Sequence, residues 1–510
     1  MGGDRGEGVG IRSSGENFKY VHKPTKSVKS VLFLLFNLTE TKAIMITVRV
    51  WKYVTGPSRF FILSYEEVSY MIFQKKHLTS IDAGHYKHTC DSVTEVMPLP
   101  SVVKLSMSEN IGAPCKPLVK KGDYVKVGQL IGDTDAFLSV PVHASVSGTV
   151  TGIETIRNAM GGQDTLVCIE PDGKQEMAED LKAPVIEDQP AFIKAMRASG
   201  LVGLGGASFP SWVKFNPKNL IDIDTLIING AECEPFITSD HRTMLEDAQN
   251  VIDGALALKK WLIAENVYIA IEVNKQNAID KFNQMIKEQN LEGFHVFPLQ
   301  SRYPKGAERV LIYEVTGKQC DAGVLPASLG VIVSNITSTA FVGQYLKDGV
   351  PLVRKRLTVD GDAVAEPKNV MVPNGALVHD IIEFCGGYKK EPQKILLGGP
   401  MMGRAIFSDE VPVVKANNAI LAFSEDLATI PEETACINCG RCHTACPFNL
   451  LPTKFADAYQ HKDVKTLQDL QVMQCMECGS CSYVCPAHRP LAFYNKLAKN
   501  LVKEAGKNGR

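Results

Sequence analysis

The sequence predicts a multidomain protein in which an α/β domain is joined to a small β domain and to a helical, cysteine-rich module. Three observations support this prediction. The chain has 510 residues, which is enough for three or four domains at about 150 residues each. Short β-branched runs give way to alternating helices and strands at Ala191, and a C-x2-C-x2-C-x3-C-P motif occurs twice near the C-terminus.

The composition is that of an ordinary globular chain. Hydrophobic residues make up 45% and charged residues 22%, and the formal net charge of −1 gives no basic field that would attract nucleic acid. The apolar run at residues 31–38 is far shorter than the roughly 20 residues that span a bilayer. We therefore expect no nucleic-acid partner, and we expect other subunits to provide any attachment to a membrane.

Residues 1–72 differ from the rest of the chain. They are rich in Gly and charge as far as Asn17, and short apolar runs interleaved with Lys and Arg follow. We interpret this segment as an extension that is poorly ordered or that results from the choice of start site. In the second case Met71 is the expected first residue.

The first predicted domain, residues 73–175, consists of short strands separated by Gly and Pro turns. The run VKKGDYVKVGQLIG followed by PVHASVSGTV resembles the barrel-sandwich fold of lipoyl and biotinyl carriers. Carriers present a Lys at the tip of the hairpin, whereas residues 141–145 of this chain read PVHAS. We therefore expect no carrier function, and we expect His143 to pack or to form a local hydrogen bond.

The second predicted domain, residues 185–345, alternates helices and strands, which predicts a parallel sheet covered on both faces. Strands are expected at 225–229, 267–273 and 294–298, and helices at 191–199, near 242–264 and at 277–288. The glycine-rich run at 200–210 could hold a phosphate, because backbone N–H groups without Cβ atoms can approach an anion closely and Lys214 adds charge. A close helix–strand contact is the alternative interpretation.

Polar residues follow two of the predicted strands. Asn229, Glu232 and Glu234 come at the carboxyl end of a strand, where ligands bind in open α/β sheets. Residues 302–309 open the next helix, whose first N–H groups are free for an anion. Glu232, Glu234 and Glu308 could each be solvated charges, but their common placement at element ends favours a site.

The two cysteine motifs predict two [4Fe–4S] clusters. In such motifs three thiolates hold one cluster and the fourth ligates the cluster of the other copy. Paired zinc knuckles and disulfides are disfavoured by the dense spacing and the following Pro. The predicted ligand sets are Cys436, Cys439, Cys442 and Cys485 for the first cluster, and Cys475, Cys478, Cys481 and Cys446 for the second.

Two further regions complete the chain. Residues 350–415 alternate strands with one helix and predict a compact α+β unit. Residues 425–500 hold the cysteine motifs, and the stretch 452–472 between the motifs predicts one helix, so we expect a helical module instead of a two-fold β type.

The remaining cysteines show no metal-type spacing, which suits a reducing, cytoplasmic compartment.

Three segments carry a family resemblance: GLVGLGGASFPSWVK, NGAECEP and YPKGAERVLI. They resemble the flavin- and nicotinamide-binding segments of the NADH-oxidising flavoprotein subunit of respiratory complex I. Together with the cysteine motifs and the β domain, they resemble more closely the C subunits of Rnf electron-transport complexes, over about residues 73–500. The resemblance implies a Rossmann-like FMN/NAD domain, a β-grasp domain of the soluble-ligand-binding type at 350–415 and a ferredoxin-like domain at 425–500.

The resemblance also implies a non-covalent FMN and a site for NAD(H). Glu308, with Phe209, would face the nicotinamide nucleotide, and Glu308 is the catalytic candidate. Complex I has Arg at the position of Leu204 and Gly at that of Ser208, and neither difference removes the backbone cradle. The implied FMN residues are Gly203, Gly205, Gly206, Ala207 and Lys214 for the phosphate and ribityl chain, Asn229, Glu232 and Glu234 for the polar edge of the ring, and Asn335 and Thr337 for its far side.

The implied function is that of the NAD(H)-handling electron-transfer subunit of an ion-translocating ferredoxin:NAD oxidoreductase. FMN would exchange hydride with NAD(H) and single electrons with the clusters. The implied partners are membrane subunits and a ferredoxin-handling subunit, with the chain peripheral at the cytoplasmic face of the membrane. The alternatives are a soluble diaphorase-type subunit of a hydrogenase or formate dehydrogenase, and a non-catalytic electron relay.

Overall fold

The computed structural model describes residues 46–48, 68–70, 78–157 and 162–508, in two units, Met1–His77 and Leu78–Arg510. In the first unit, strands β1 (Ile46–Val48) and β2 (Val68–Tyr70) pair antiparallel. The remaining predictions for residues 1–72, including the apolar run at 31–38 and Met71, lie outside the described residues.

The second unit begins with a short strand and a β domain. The strands are β3 (Glu95–Val96), β4 (Val103–Ser106), β5 (Lys116–Pro117), β6 (Tyr124–Val125), β7 (Leu130–Asp133), β8 (Val142–His143), β9 (Gly148–Arg157) and β10 (Gln163–Pro171). Two antiparallel sheets, β4-β10-β9-β6 and β5-β7-β8, share one core of aliphatic side chains. The predicted all-β domain is therefore confirmed, and its sheets begin at β4.

The tip of the lipoyl-like hairpin is buried against other domains. Residues 139–148 are all buried, and His143 is only 8% exposed. The carbonyl of Pro141 accepts a hydrogen bond from Lys415 Nζ (2.8 Å), and Ser145 Oγ donates to the carbonyl of Asn374 (2.6 Å). The tip cannot be presented to a partner enzyme as a carrier lysine is, and His143 packs in the interior as expected.

The α/β domain has a four-stranded parallel sheet, whose strands lie in the order β13 (Phe294–Leu299), β12 (Asn266–Glu272), β11 (Thr225–Gly230) and β14 (Val331–Asn335). Alternate residues of β11 reach opposite faces: Leu226 and Ile228 pack with one set of helices, whereas Ile227 packs with the helix that follows β13. The sheet is thus covered on both faces, as predicted. Its elements are α1 (Gln189–Ala198), α2 (Ser211–Lys214), β11 (Thr225–Gly230), α3 (Ser239–Glu246), α4 (Ala248–Trp261), β12 (Asn266–Glu272), α5 (Gln276–Glu288), β13 (Phe294–Leu299), α6 (Glu308–Thr316), β14 (Val331–Asn335) and α7 (Ile336–Asp348).

The single helix predicted near 242–264 is wrong, because α3 and α4 are separate helices that meet at Asp247. This residue ends α3 and begins α4 with a non-helical backbone (φ −117°, ψ 25°). Its carboxylate is held by Arg356, with an Nη1–Oδ2 distance of 2.8 Å. A contact with a distant part of the chain therefore fixes the break.

The next domain is a six-stranded mixed sheet with one helix against it, and its strands lie in the order β18 (Arg404–Ile406), β17 (Lys394–Leu397), β19 (Ala419–Phe423), β15 (Arg354–Asp360), β16 (Lys368–Pro373) and β3. Its elements are β15 (Arg354–Asp360), β16 (Lys368–Pro373), α8 (Val378–Phe384), β17 (Lys394–Leu397), β18 (Arg404–Ile406) and β19 (Ala419–Phe423). The sheet extends beyond the predicted bounds of 350–415, because β19 is fully buried between β15 and β17 and because β3 pairs with β16.

The cysteine-rich module is helical, as predicted. Its helices are α9 (Glu425–Ala428), α10 (Arg441–Thr444), α11 (Pro452–Gln460), α12 (Val464–Asp469), α13 (Ser480–Tyr483) and α14 (Leu491–Asn508). The single helix expected at 452–472 is wrong: Lys462 has a left-handed backbone (φ +53°), and Asp463 then caps α12 by accepting from the N–H of Thr466. Among the described helices, none is long and apolar enough to cross a bilayer.

Candidate functional site

A glycine-rich turn at residues 203–209 presents its backbone outward. Gly205, Gly206 and Ala207 are exposed, and Gly206 has a φ of +100° with open space where a Cβ would lie. Leu204 points the other way: its side chain is 4% exposed in the core, and its N–H donates to Ser338 Oγ (2.9 Å). The turn therefore presents a cradle of backbone groups. Leu204, at the position where complex I has Arg, instead packs its side chain into the hydrophobic core.

Asn335 lies directly beneath this turn. A Cβ on Gly205 would come within 3.2 Å of Asn335 Nδ2, so only glycine fits against the amide without a shift. Asn335 Oδ1 caps α7 by accepting from the N–H groups of Thr337 (3.0 Å) and Ser338 (3.1 Å). The turn and the N-terminus of α7 thus meet at one side chain.

Asp240, which the sequence alone did not single out, fixes the orientation of two predicted FMN residues. Its carboxylate accepts from Asn335 Nδ2 (2.8 Å) and from Thr337 Oγ1 (2.6 Å). Asp240 is buried, and burial raises the pKa of its carboxyl group above the usual value. The available signal was an acid in the first turn of α3, just after the NGAECEP segment.

Lys214 and Glu308 are brought together as an ion pair. Lys214 ends α2 and Glu308 begins α6, and the Nζ–Oε1 distance is 2.8 Å. Lys214 Nζ also donates to the carbonyl of Val333 in β14 (3.0 Å). The pair therefore joins α2, α6 and the strand that leads into Asn335.

Asn229 and Phe209 hold loops around the same site. At the carboxyl end of β11, Asn229 Nδ2 donates to the carbonyl of Gly306 (2.9 Å), and its Oδ1 accepts from the N–H of Ala231 (3.0 Å). Phe209 closes the glycine turn, since its carbonyl accepts from the N–H of Gly203 (2.9 Å). We call this arrangement the glycine-turn site. It consists of residues 203–209, Lys214, Asn229, Glu308, Asn335 and Thr337.

Glu232 and Glu234 are differently placed. Glu232 Oε1 accepts from the N–H of Asp240 (2.7 Å) at the start of α3, and Glu234 Oε2 accepts from the N–H of Met401 (3.0 Å). Burial raises the pKa of each carboxyl group to about 7. The partly buried Lys87 Nζ donates to the backbone carbonyls of both residues, at 2.9 and 2.8 Å. Both carboxylates are therefore engaged with protein N–H groups, and their hydrogen bonds in the described chain do not include the glycine turn.

Four thiols from both cysteine motifs line one cavity. Cys446, from the first motif, lies there with Cys475, Cys478 and Cys481 of the second. Asn495 Nδ2 donates to Cys475 Sγ (3.4 Å), and burial raises the pKa of that thiol to about 11. This thiol cavity brings together the ligand set predicted for the second cluster, including the crossover cysteine.

The first ligand set lies nearer the surface. Cys442 and Cys485 pack in one small cluster with α11 and α14, whereas Cys436 is partly exposed and Cys439 is exposed. The N–H of Asn438, whose backbone is left-handed (φ +55°), donates to Cys436 Sγ at 3.4 Å.

The second motif repeats this arrangement. The N–H of Glu477, at φ +60°, donates to Cys475 Sγ at 3.4 Å. The two motifs therefore fold alike. In each motif a backbone N–H group donates to a cysteine sulfur, and this hydrogen bond would stabilise the negative charge of a thiolate bound to a metal cluster.

Family comparisons match all four domains of the second unit. Residues 79–174 match the RnfC barrel sandwich hybrid domain, 196–344 the Nuo51 FMN-binding domain, 356–405 the SLBB domain and 435–488 the 4Fe-4S dicluster domain. The predicted barrel-sandwich, FMN-binding, soluble-ligand-binding and iron–sulfur domains are thereby confirmed.

Curated relatives resemble most of the chain. The C subunit of the proton-translocating ferredoxin:NAD(+) oxidoreductase complex of Clostridium ljungdahlii is 38% identical over 385 residues, which are 73% of this chain and 83% of that protein. Its counterpart in the Na(+)-translocating ferredoxin:NAD(+) oxidoreductase complex of Acetobacterium woodii is 39% identical, over 76% of this chain and 88% of that protein. The corresponding protein of the ion-translocating oxidoreductase complex of Rhodobacter capsulatus is 39% identical over 82% of each chain. The chain belongs to the C-subunit family of these ion-translocating, Rnf-type oxidoreductase complexes.

Proposed function

We propose that this chain is the NAD(H)-handling electron-transfer subunit of a membrane-bound, ion-translocating ferredoxin:NAD oxidoreductase. The observation that carries the proposal is the presence, in one polypeptide, of an open glycine cradle of the FMN-binding type and of thiols from two motifs that meet in one cavity. FMN exchanges hydride with NAD(H) and single electrons with iron–sulfur clusters, so it supplies the step between two-electron and one-electron carriers.

The residues of the glycine-turn site fit FMN. The exposed backbone of Gly205, Gly206 and Ala207 would approach the phosphate and ribityl chain, and Lys214 would supply positive charge. Asn335 and Thr337, oriented by Asp240, would form the floor of the site.

Asn229 would hold the loop before α6 in place, and Glu308 at the start of α6 would face the nicotinamide nucleotide together with Phe209. Glu232 and Glu234 would act indirectly, by fixing α3 and the SLBB domain.

Two [4Fe–4S] clusters are proposed, each held by three thiolates of one motif and the fourth of the other. Cys475, Cys478, Cys481 and Cys446 would hold the buried one in the thiol cavity. Cys436, Cys439, Cys442 and Cys485 would hold the other, nearer the surface. That surface is where a partner electron carrier, such as a ferredoxin-handling subunit, would dock. Membrane subunits of the complex would carry the ion path and hold this chain peripherally at the cytoplasmic face.

An anaerobic titration tests the proposal. We expect about eight iron atoms and one FMN per purified holoprotein chain, and we expect NADH to bleach both the flavin and the cluster absorbance. If the holoprotein lacks flavin, or if NADH does not reduce it, the proposal is refuted. The chain would then be a non-catalytic electron relay. Purification from native membranes without integral membrane partners would instead favour a soluble diaphorase-type subunit.

A matched pair of variants tests the role of Glu308. Glu308→Gln should keep the flavin and iron content and the reduction of the clusters by dithionite, but it should slow reduction by NADH. Glu292→Gln, which alters an exposed carboxylate between α5 and β13, should behave as the unaltered protein does. If NADH reduces the two variants at equal rates, Glu308 does not take part in the nucleotide site.

A further inference from the structure

One short segment of the α/β domain touches both the glycine-turn site and the thiol cavity. Residues 303–309 comprise the last part of the loop between β13 and α6 and the first two residues of α6. On one side, the carbonyl of Gly306 accepts from Asn229 Nδ2 (2.9 Å), and Glu308 pairs with Lys214 (2.8 Å). These contacts anchor the segment to the proposed flavin site.

Tyr303 connects the same segment to the thiol cavity. It is 2% exposed, and its hydroxyl donates to the backbone carbonyl of Cys478 at 2.6 Å. Tyr303 also packs in one apolar cluster with Cys478 and Met476. The hydrogen bond therefore fixes the peptide that follows a proposed cluster ligand.

Arg309 makes a second, independent connection. Its Nη1 donates to the carbonyl of Gln474 (2.9 Å) and its Nη2 to Gln474 Oε1 (2.6 Å), and the guanidinium lies 4.2 Å from the centre of the Phe448 ring. Gln474 directly precedes Cys475, and Phe448 comes two residues after Cys446. Arg309 thus contacts both chain segments that bring ligands into the thiol cavity from different motifs.

We propose that Tyr303 and Arg309 are positioning residues that hold the ligand loops of the thiol cavity against the flavin domain and so set the rate of electron transfer between the two centres. The inference rests on the proposed function. NADH oxidation to NAD+ and H+ releases two electrons, and the two clusters accept one each. Arg309 adds a positive charge near the buried cluster, which favours its reduced, more negative state.

The test uses holoprotein with conservative variants. Tyr303→Phe removes only the hydroxyl, and Arg309→Lys keeps the charge but removes the two-point contact with Gln474. Two matched controls lie close by. Tyr313→Phe alters a tyrosine of α6 that does not line the thiol cavity, and Arg302→Lys alters an arginine that donates to the backbone and hydroxyl of Ser80.

The readouts are flavin and iron content, the reduction potentials of the clusters, and the separate rates at which NADH reduces the flavin and then the clusters. We expect Tyr303→Phe and Arg309→Lys to keep both cofactors and the flavin rate, and to slow cluster reduction relative to the unaltered protein, because each variant loses hydrogen bonds that hold a ligand loop of the thiol cavity. Arg309→Gln, which also loses the charge, should lower the potential of one cluster, whereas Arg309→Lys should not. The two control variants should match the unaltered protein.

Unchanged cluster reduction in both variants would overturn the inference, and so would an equal slowing of flavin reduction. Loss of iron from either variant would assign that residue a structural role and overturn the inference for it. If the unaltered holoprotein does not bleach with NADH, the proposed function fails, and this inference fails with it. If it bleaches and the variants match it, only this inference fails.

Discussion

Lys214 and Glu308 form an ion pair, Nζ to Oε1 at 2.8 Å, between the last residue of α2 and the first residue of α6. Both side chains are partly exposed, at 32% and 41%, so solvent weakens the pair and leaves Lys214 able to contact a bound anion. The pair therefore places the cation proposed for the FMN phosphate beside the carboxylate proposed for the nucleotide.

Lys214→Ala should weaken FMN binding about tenfold, the lower end of the range for a hydrogen bond to a charged group. Riboflavin, which has no phosphate, should bind the variant and the unaltered protein equally. Fluorescence titration of flavin-free protein measures both affinities. Lys218→Ala, four residues further along, serves as the control. If Lys214→Ala keeps full FMN affinity, or if riboflavin weakens equally, Lys214 does not hold the phosphate.

Asp240→Asn should weaken FMN binding. In the unaltered protein the two carboxylate oxygens of Asp240 accept from Asn335 Nδ2 and Thr337 Oγ1, whereas an asparagine side chain has only one acceptor oxygen. The Thr337 hydroxyl can instead donate to Thr243 Oγ1, which lies 3.0 Å away, so Thr337 would lose its orientation while its hydroxyl stays paired. Thr337→Val removes one of the two donors and should weaken FMN binding less. In the double variant the losses should not add, since the residues share one network. Additive losses would contradict the arrangement.

Cys446→Ser should remove the cluster of the second motif although Cys446 belongs to the first, because its thiol lines the cavity with Cys475, Cys478 and Cys481. Electron paramagnetic resonance of the reduced protein should show the signal that is lost in Cys475→Ser and keep the one lost in Cys436→Ser. Iron content should fall by about half. A spectrum of Cys446→Ser that instead matches Cys436→Ser would show that the motifs do not exchange their fourth ligands.

Glu109→Gln should flatten part of the pH dependence of stability. Glu109 is 1% exposed, and burial raises the pKa of its carboxyl group from 4.5 to about 7. Between these values the folded state holds a proton that the unfolded state releases, so this group makes the protein less stable as pH rises from about 5 to 7, by at most about 1.4 kcal/mol per pH unit.

The measurement is the thermal midpoint at pH 5 and at pH 7. The midpoint of Glu109→Gln relative to the unaltered protein should rise between the two pH values. The exposed Glu170, in the same β domain, provides the control variant Glu170→Gln, which should show no such rise. Equal pH profiles for Glu109→Gln and the unaltered protein would contradict the buried placement of this carboxyl group.

Local patterns predicted most of the architecture. The alternation of helices and strands predicted the parallel sheet and its two covered faces, and the cysteine spacing predicted which four thiols meet in the cavity. Both features depend on short stretches of sequence, so they can be read without knowing how the domains pack.

The break between α3 and α4 depends on a contact between distant residues, whereas the break at Lys462 depends on the local cap at Asp463. Asp247 breaks a helix because Arg356, more than a hundred positions later, holds its carboxylate. The hydrogen bonds of Glu232 and Glu234 with the N–H groups of Asp240 and Met401 could not be predicted, because their partners lie outside the NGAECEP segment. Asp240 went unnoticed for the same reason, since its donors lie about a hundred residues away.

The buried hairpin tip has a consequence for how electrons can travel. A lipoyl-type domain delivers its cargo by swinging between distant catalytic centres, and that demands a free tip on a loose tether. Here Pro141 and Ser145 are held by Lys415 and Asn374 from beyond the α/β domain. The barrel is therefore anchored to its neighbours, and it cannot act as a swinging carrier between the proposed redox centres.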